Sequence, residues 1–90
     1  PASSSILDTY GWILAQQKSF EQALAILRQA RSLNANDPNI SFHLGFTLFH
    51  LDRKSEAKIE LIKAVQSPTF ITGKELAEGL LDQIIDSALK

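Results

Sequence analysis

The fold is decided by one stretch, Ser41-Phe42-His43-Leu44-Gly45-Phe46-Thr47-Leu48-Phe49-His50-Leu51. It contains no Pro and only one Gly, so it can run as three turns of helix. At 100° per residue its leucines lie on one side and its phenylalanines on the opposite side, with the histidines and Thr47 between them. A helix that is apolar on two opposite sides must be covered twice, by a core and by a neighbour or ligand. What covers the phenylalanine side is therefore the functional question.

The composition fits one small domain, because the 90 residues are 44% apolar and can form a core. No apolar run approaches the ~18 residues of a membrane-spanning helix, and no signal peptide is visible. The formal net charge is −1 without a basic stripe, which argues against nucleic acid and anionic membranes as partners. The absence of Cys fits the cytoplasm and the periplasm equally. The chain also lacks Met, and we expect it to be a piece of a longer protein.

Five helices are expected from the spacing of the apolar residues. No segment alternates with a period of two, so no sheet is expected. A flexible tail of residues 1–5 is predicted to precede the helices. The predicted helices cover about 6–17, 19–33, 39–51, 54–66 and 73–89.

Helix starts are predicted from capping residues. Asp37 followed by Pro38 is the clearest signal, since it combines a favoured N-cap with Pro at the first helical position. Ser4 or Ser5 is expected to cap the first helix. Two further pairs have the form of a capping box, Ser19 with Gln22 and Thr72 with Glu75.

The strongest signal is an internal repeat. Five pairs recur at one and the same spacing: Gly11 and Gly45, Leu14 and Leu48, Ala23 and Ala57, Leu27 and Leu61, and Ala30 and Ala64. Tyr10 and Leu44 match as the bulky residues before each Gly. Antiparallel helices need small residues where they touch, so Gly on one helix and Ala on the other let the backbones approach. A period of about 34 residues is typical of helix–turn–helix repeats.

The same residues resemble the tetratricopeptide repeat family, whose period and pattern they share. The resemblance implies an all-α fold, a right-handed α-solenoid of two antiparallel helix–turn–helix repeats closed by a C-terminal capping helix. The repeats would span 4–37 and 38–71, and the cap 72–90, within one domain. The family's early Trp and late Pro are missing or displaced. Gly79 continues the spacing, so the last helix is either a cap or a degenerate third repeat.

A narrower resemblance rests on Leu7-Asp8-Thr9-Tyr10-Gly11-Trp12, on Phe42-His43-Leu44-Gly45 and on the closing helix. These segments are similar to the last repeats of bacterial multi-repeat tetratricopeptide proteins. Some of those proteins are periplasmic lipoproteins linked to exopolysaccharide and protein-sorting systems. The resemblance implies that this chain is the C-terminal end of a longer solenoid.

Solenoids of this kind bind peptides or helices of partner proteins on a concave face lined by the first helix of each repeat. By resemblance, the groove would be formed by Asp8, Trp12, Ala15, Gln16, Asn39, Phe42, His43, Phe46, Phe49 and His50, with Leu76, Leu80 and Gln83 from the cap. The family's clamp of Lys, Arg and Asn for a chaperone's carboxylate is not expected, because Asp8, Trp12, His43 and Gly73 stand in its places. An apolar or aromatic anchor on the partner is expected instead.

The groove residues also fit other roles. The phenylalanines fit a core position between the helix of Trp12 and the cap, Phe46 and Phe49 more so than Phe42. His43 and His50 are seven residues apart, about 10 Å along a helix. That separation is too long for one metal ion, so the two histidines fit groove or surface positions.

No catalytic site, cofactor site or metal site is predicted. Ser, His and Asp occur in the chain, but none lies in a strained elbow or beside a Gly-rich loop. No phosphate-binding motif is present either. We therefore expect that the chain is not an enzyme.

Two functions remain open from the sequence. In the first, the chain is a protein-interaction scaffold that binds a peptide or helix in the aromatic groove. In the second, it is a structural end piece used for stacking or self-association, with the ligand site upstream. The second predicts an exposed apolar flank on the first helix and a homodimer formed through the N-terminal helices.

Overall fold

The computed structural model describes residues 3–89, which form five helices and no strand. The helices are α1 (Ser4–Gln16), α2 (Phe20–Leu33), α3 (Pro38–His50), α4 (Lys54–Gln66) and α5 (Lys74–Ala88). The five predicted helices are therefore confirmed, with boundaries that shift by one or two residues. None of them is long and apolar enough to span a membrane.

The start of α1 corrects two predictions. The helix begins at Ser4, so the predicted tail is wrong for Ser4 and Ser5, while Pro1 and Ala2 lie outside the described residues. Ser3 is the N-cap instead of Ser4 or Ser5, because its Oγ accepts the Ile6 backbone N–H at 3.1 Å. Lys90, the last residue of the predicted cap, also lies outside the described part of the chain.

Of the other predicted caps, the one before α3 is confirmed. The Asp37 carboxylate accepts the backbone N–H of Asn39 at 2.9 Å, and Pro38 stands at the first helical position. Both predicted capping boxes are wrong, since neither helix receives a side-chain bond from its N-cap. Before α5 the N-cap is Gly73, with φ of +90°, instead of Thr72.

The capping box at Ser19 fails because of the turn that precedes it. Lys18 takes a left-handed conformation with φ of +66°, and the Ser19 N–H bonds to the Leu14 carbonyl at 2.9 Å. The same turn ends α3, where Asp52 has φ of +61° and the Arg53 N–H bonds to the Leu48 carbonyl at 2.9 Å. Both are Schellman turns, which satisfy the last carbonyls of a helix. They lie one repeat apart, so the two repeats share this backbone conformation as well as their sequence pattern.

The helices pack as two antiparallel pairs, α1 with α2 and α3 with α4, and α5 packs against α4 and α3. Each pair has the same close contact at its centre. A Cβ atom on Gly11 would lie 2.6 Å from Leu27 Cγ, and one on Gly45 would lie 2.6 Å from Leu61 Cγ. The two repeats thus use Gly in the same way, to let the helix axes approach.

Almost all of the predicted repeat-packing residues are buried. They are Gly11, Ala23, Leu27, Ala30, Leu44, Gly45, Leu48, Ala57, Leu61 and Ala64, and Leu14 is partly buried. Tyr10 is the exception, and its prediction as a packing residue is wrong. It keeps 51% of its surface exposed because it lies on the side of α1 that no described helix covers.

The chain itself covers the leucine side of α3 and part of its phenylalanine side. Leu44 and Leu48 are buried in the core. On the other side, Phe42 is only 4% exposed and lies between the ring of Trp12, at 5.5 Å, and the ring of Phe70, at 5.4 Å. Phe70 comes from the loop before α5, a segment that local sequence patterns did not place in the core.

The last helix, α5, packs with part of its apolar surface against α4 and α3. Leu80, Leu81 and Ile84 are buried, whereas Leu76 and Ile85 are 46% and 43% exposed. Gly79 differs from Gly11 and Gly45, because a Cβ atom there would meet nothing within 4 Å. Within the described residues, α5 therefore has no helical partner beside Gly79.

Candidate functional site

The first helices of the two repeats and α5 lie side by side. The backbone of α3 lies close to those of both α1 and α5, whereas the backbones of α2 and α4 do not come close to each other. The side of the molecule formed by α1, α3 and α5 is here called the inner face. Trp12 and Phe46 occupy equivalent positions on it, one repeat apart.

Trp12 is the centre of the inner face. Its ring stacks on the imidazole of His43, with centroids 4.3 Å apart and planes inclined by 18°. It meets Phe46 edge to face at 5.0 Å. Aromatic pairs at such distances stabilise one another beyond the area that they bury. These rings therefore form a packed, partly exposed surface.

A polar pair joins α1 to α3 beside this ring. His43 Nδ1 lies 2.6 Å from Asp8 Oδ1, and both side chains are more than four-fifths buried. Because an ionised carboxylate can only accept, the proton of this bond is on Nδ1. The bond fixes the ring plane of His43 and so holds it flat against Trp12.

A second stack lies at the other end of α3. The rings of Phe20 and His50 are parallel within 6°, with centroids 4.9 Å apart, and Phe46 lies 4.5 Å from His50. Burial against its surroundings is the main cause that lowers the pKa of His50 below 6.5, and the charge of Lys18 lowers it further. The imidazole is therefore held toward its neutral form at neutral pH.

The predicted groove residues divide into buried and accessible ones. Phe42, Ala15 and Leu80 are buried and cannot meet a partner. Phe46 and Phe49 are partly buried, so the order of burial among the phenylalanines is the reverse of the one expected. The remaining exposed positions are Gln16, Asn39, His50, Leu76 and Gln83.

Phe20 belongs to the inner face but was missed among its predicted residues. It precedes Ala23, Leu24 and Leu27 at helical spacing, which is typical of a residue that packs within its own repeat. The structure places it at the first position of α2, where its ring reaches His50 and Phe46. Its place directly after the α1–α2 turn was the one signal that could have indicated contact with α3.

The opposite surface of α1 is apolar and exposed, as expected for a structural end piece. Ile6, Tyr10 and Ile13, here called the α1 flank, are 65%, 51% and 46% exposed. Together with Ser5 and Thr9 they line a shallow recess of about 350 Å³. Exposed apolar surface of this kind, concentrated on one helix, is typical of contact sites.

A third cluster was not predicted at all. The guanidinium of Arg31 on α2 donates to the Glu60 carboxylate on α4 at 2.6 and 3.1 Å, and to Ser41 Oγ on α3 at 2.9 Å. These contacts tie the second helices of both repeats to α3. The cluster therefore links the two repeats through one guanidinium group.

Metal binding finds no support in the described part of the chain. Residues 3–89 contain no group of three or more His, Cys, Asp or Glu side chains placed to hold a metal ion. The Asp8–His43 pair accounts for one histidine. His50 stacks between aromatic rings.

The chain matches a known protein family. Residues 14–67, more than half of the chain, match a family model described as tetratricopeptide repeat. No curated protein and no solved structure matches the chain. The structure agrees with this match, because it contains two equivalent helix pairs with a close Gly–Leu contact in each. The chain therefore belongs to the tetratricopeptide repeat family, whose members generally mediate protein–protein interaction.

Proposed function

We propose that this chain is a protein-interaction module that binds a helix or an extended segment of a partner protein across its inner face. The observation that carries the proposal is the series of partly exposed rings Trp12, Phe46 and Phe20, next to the exposed side chains of Gln16 and His50. Large aromatic side chains that are rigidly held yet partly exposed are the residues that dominate protein interfaces.

The inner face favours a partner with an apolar or aromatic anchor. Its only carboxylate from α1 is Asp8, which is already bonded to His43. Among the inner-face residues named here there is no Lys or Arg to bind a carboxylate terminus. Recognition would therefore rest on ring contacts, with His50 and Gln16 supplying hydrogen bonds at the edge.

The test uses peptides selected from a random displayed library on the folded chain. Trp12 is the only Trp, so its fluorescence reports directly on binding at the inner face. We expect the substitutions His50→Glu and Phe46→Glu to weaken the selected peptides by ~10-fold or more. The matched control is Ile59→Glu, an exposed apolar position on α4, which should bind as wild type does.

Circular dichroism separates loss of binding from loss of folding. Phe46 is partly buried, so its variant is informative only if it keeps the wild-type spectrum, whereas His50 is exposed and its variant should still fold. The opposite outcome is a peptide that binds wild type and the folded His50→Glu variant equally well and leaves Trp12 fluorescence unchanged. It would place the binding site away from the inner face.

A second candidate function is structural. In it the chain stacks on or associates with other helical repeats, and ligands are bound by other repeats. The α1 flank favours this function, because it offers an exposed apolar surface that the inner-face proposal does not use. It would act independently of peptide binding.

A further inference from the structure

The repeat itself shows what kind of surface the α1 flank is. The positions equivalent to Ile6, Tyr10 and Ile13 in the second repeat are Ile40, Leu44 and Thr47 on α3. All three of those residues are buried, by helices of the same chain. The positions of the α1 flank are thus helix-packing positions, and on α1 no helix among the described residues covers them.

The uncharged surface continues from α1 onto α2. Ile26 on α2 occupies the position that Glu60 occupies on α4, where Glu60 forms an ion pair with Arg31 across the repeat boundary. At the α1 end this charged position is replaced by an apolar one. Arg28 and Arg31, the basic residues of α2, instead line a recess with residues of α3 and α4.

The other end of the helix stack has a different character. The exposed positions of α5 around Gly79 include four carboxylates: Glu75, Glu78, Asp82 and Asp86. An acidic surface is a poor complement for an apolar flank without basic residues, because its charges would lose water without gaining a partner. A head-to-tail contact of two copies is therefore disfavoured.

We propose that the α1 flank is a docking surface for a second copy of this chain, with α1 packed antiparallel on α1 of the partner about a two-fold axis. This proposal rests on the second candidate function and is independent of the inner-face site. A two-fold contact requires a surface that complements itself. The five residues that line the recess carry no charge, so bringing two copies together creates no repulsion.

The spacing along α1 is also self-complementary. The flank is centred between Thr9 and Tyr10, close to the middle of the helix Ser4–Gln16. In an antiparallel pair centred there, Ile6 of one protomer meets Ile13 of the other. The ring of Tyr10 then lies over the small side chain of Thr9 across the axis, filling the recess. Such packing of ridges into grooves is how helices associate.

The size of the contact predicts its strength. A helix of this length is about 20 Å long, and one helix face buries less than the ~800 Å² per partner of a standard interface. We therefore expect a weak dimer that dissociates at low micromolar concentration and forms as the concentration approaches millimolar.

Sedimentation equilibrium over that concentration range tests the proposal. We expect wild type and the control Ile59→Glu to dimerise to the same extent. Tyr10→Glu should raise the dissociation constant by ~10-fold or more, because it places two carboxylates at the axis. Tyr10 is half exposed, so the variant should fold, which circular dichroism checks.

A charge-pairing experiment tests the symmetry. Tyr10→Glu and Tyr10→Lys should each be monomeric alone but should associate when mixed, since opposite charges then meet at the axis. A wild-type chain that stays monomeric at millimolar concentration would overturn the proposal, and so would a dimer that Tyr10→Glu leaves intact. Neither outcome affects peptide binding at the inner face, which the His50→Glu variant reports separately.

Discussion

The Cγ atom of Leu61 lies 2.6 Å from the point that a Cβ atom on Gly45 would occupy. Real side chains do not approach that closely, so either the helices α3 and α4 must move apart or Leu61 must leave its rotamer when Gly45 is replaced. The same relationship holds between Leu27 and Gly11. Each pair marks a close approach of the two helices in its repeat.

Gly45→Ala should therefore destabilise the protein by about 1–3 kcal/mol, the usual cost of overpacking a core. Urea unfolding followed by circular dichroism measures the change. Gly79→Ala is the matched control, since its Cβ meets nothing within 4 Å. Removing a helical Gly there should stabilise the protein by ~0.5–1 kcal/mol. Effects of the same sign in both variants would contradict the packing argument.

The contact of Arg31 with Glu60 predicts an asymmetry between two ion pairs. Glu60→Gln should cost about 1–3 kcal/mol, because it leaves a largely buried guanidinium without its charged partner. Glu56→Gln removes an exposed pair with Arg53 and should have little effect. Urea unfolding of both variants at low and high salt measures the two changes in the free energy of unfolding. Equal changes would show that the Arg31–Glu60 pair stabilises the protein no more than the exposed pair does.

His50 predicts a pH dependence. Its pKa in the folded protein lies below 6.5, so the folded state binds the proton more weakly than the unfolded chain does. The free energy of unfolding should therefore fall as the pH decreases below about 6.5 and level off below the pKa of the folded state. This contribution of His50 is fully present above pH ~6.5.

Proton NMR titration measures the pKa of His50 directly. Lys18→Ala should raise that pKa, since the charge of Lys18 is one of its two causes. His50→Gln should remove the corresponding part of the pH dependence of unfolding. A pKa for His50 above 6.5 in the folded protein would contradict the prediction.

Phe70 predicts that the loop before α5 contributes to the core. Phe70→Ala should destabilise the protein by about 3–5 kcal/mol, because the ring is buried against Phe42. Ile71 is the next residue and is 80% exposed, so Ile71→Ala should change the stability little. Thermal or urea unfolding compares the two, and similar losses would mean that the loop is not anchored through Phe70.

The helix pairs could be predicted from the sequence because small residues mark each close contact. Gly11 and Gly45 on the first helices, with Ala23 and Ala57 on the second helices, recur at a fixed spacing, which is typical of helix–turn–helix repeats. The turns between the helices of each pair, and so the starts of α2 and α4, were harder to predict from the sequence. Lys18 and Asp52 adopt left-handed conformations that usually mark Gly, so composition alone carried no signal for the two Schellman turns.

The fate of the phenylalanine side of α3 could not be predicted for a different reason. It depends on a residue far before Phe42 in the chain, Trp12, and on one in a segment that reads as a loop, Phe70. Local periodicity does not report contacts across such distances. The Asp8–His43 bond belongs to the same class, since its partners are 35 residues apart.

The ring contacts from Trp12 through Phe42 to Phe70 have a consequence for cooperativity. Repeat proteins are quasi-one-dimensional, and their ends can open while the middle stays folded. Here Phe42 of α3 contacts both Trp12 of the first repeat and Phe70 of the loop that leads into α5. Local unfolding of α1, or of the loop before α5, must therefore disrupt the packing of Phe42 on α3. The amides of α1, α3 and α5 should then exchange with solvent through a single global opening, so that a chain built from repeats unfolds as one unit.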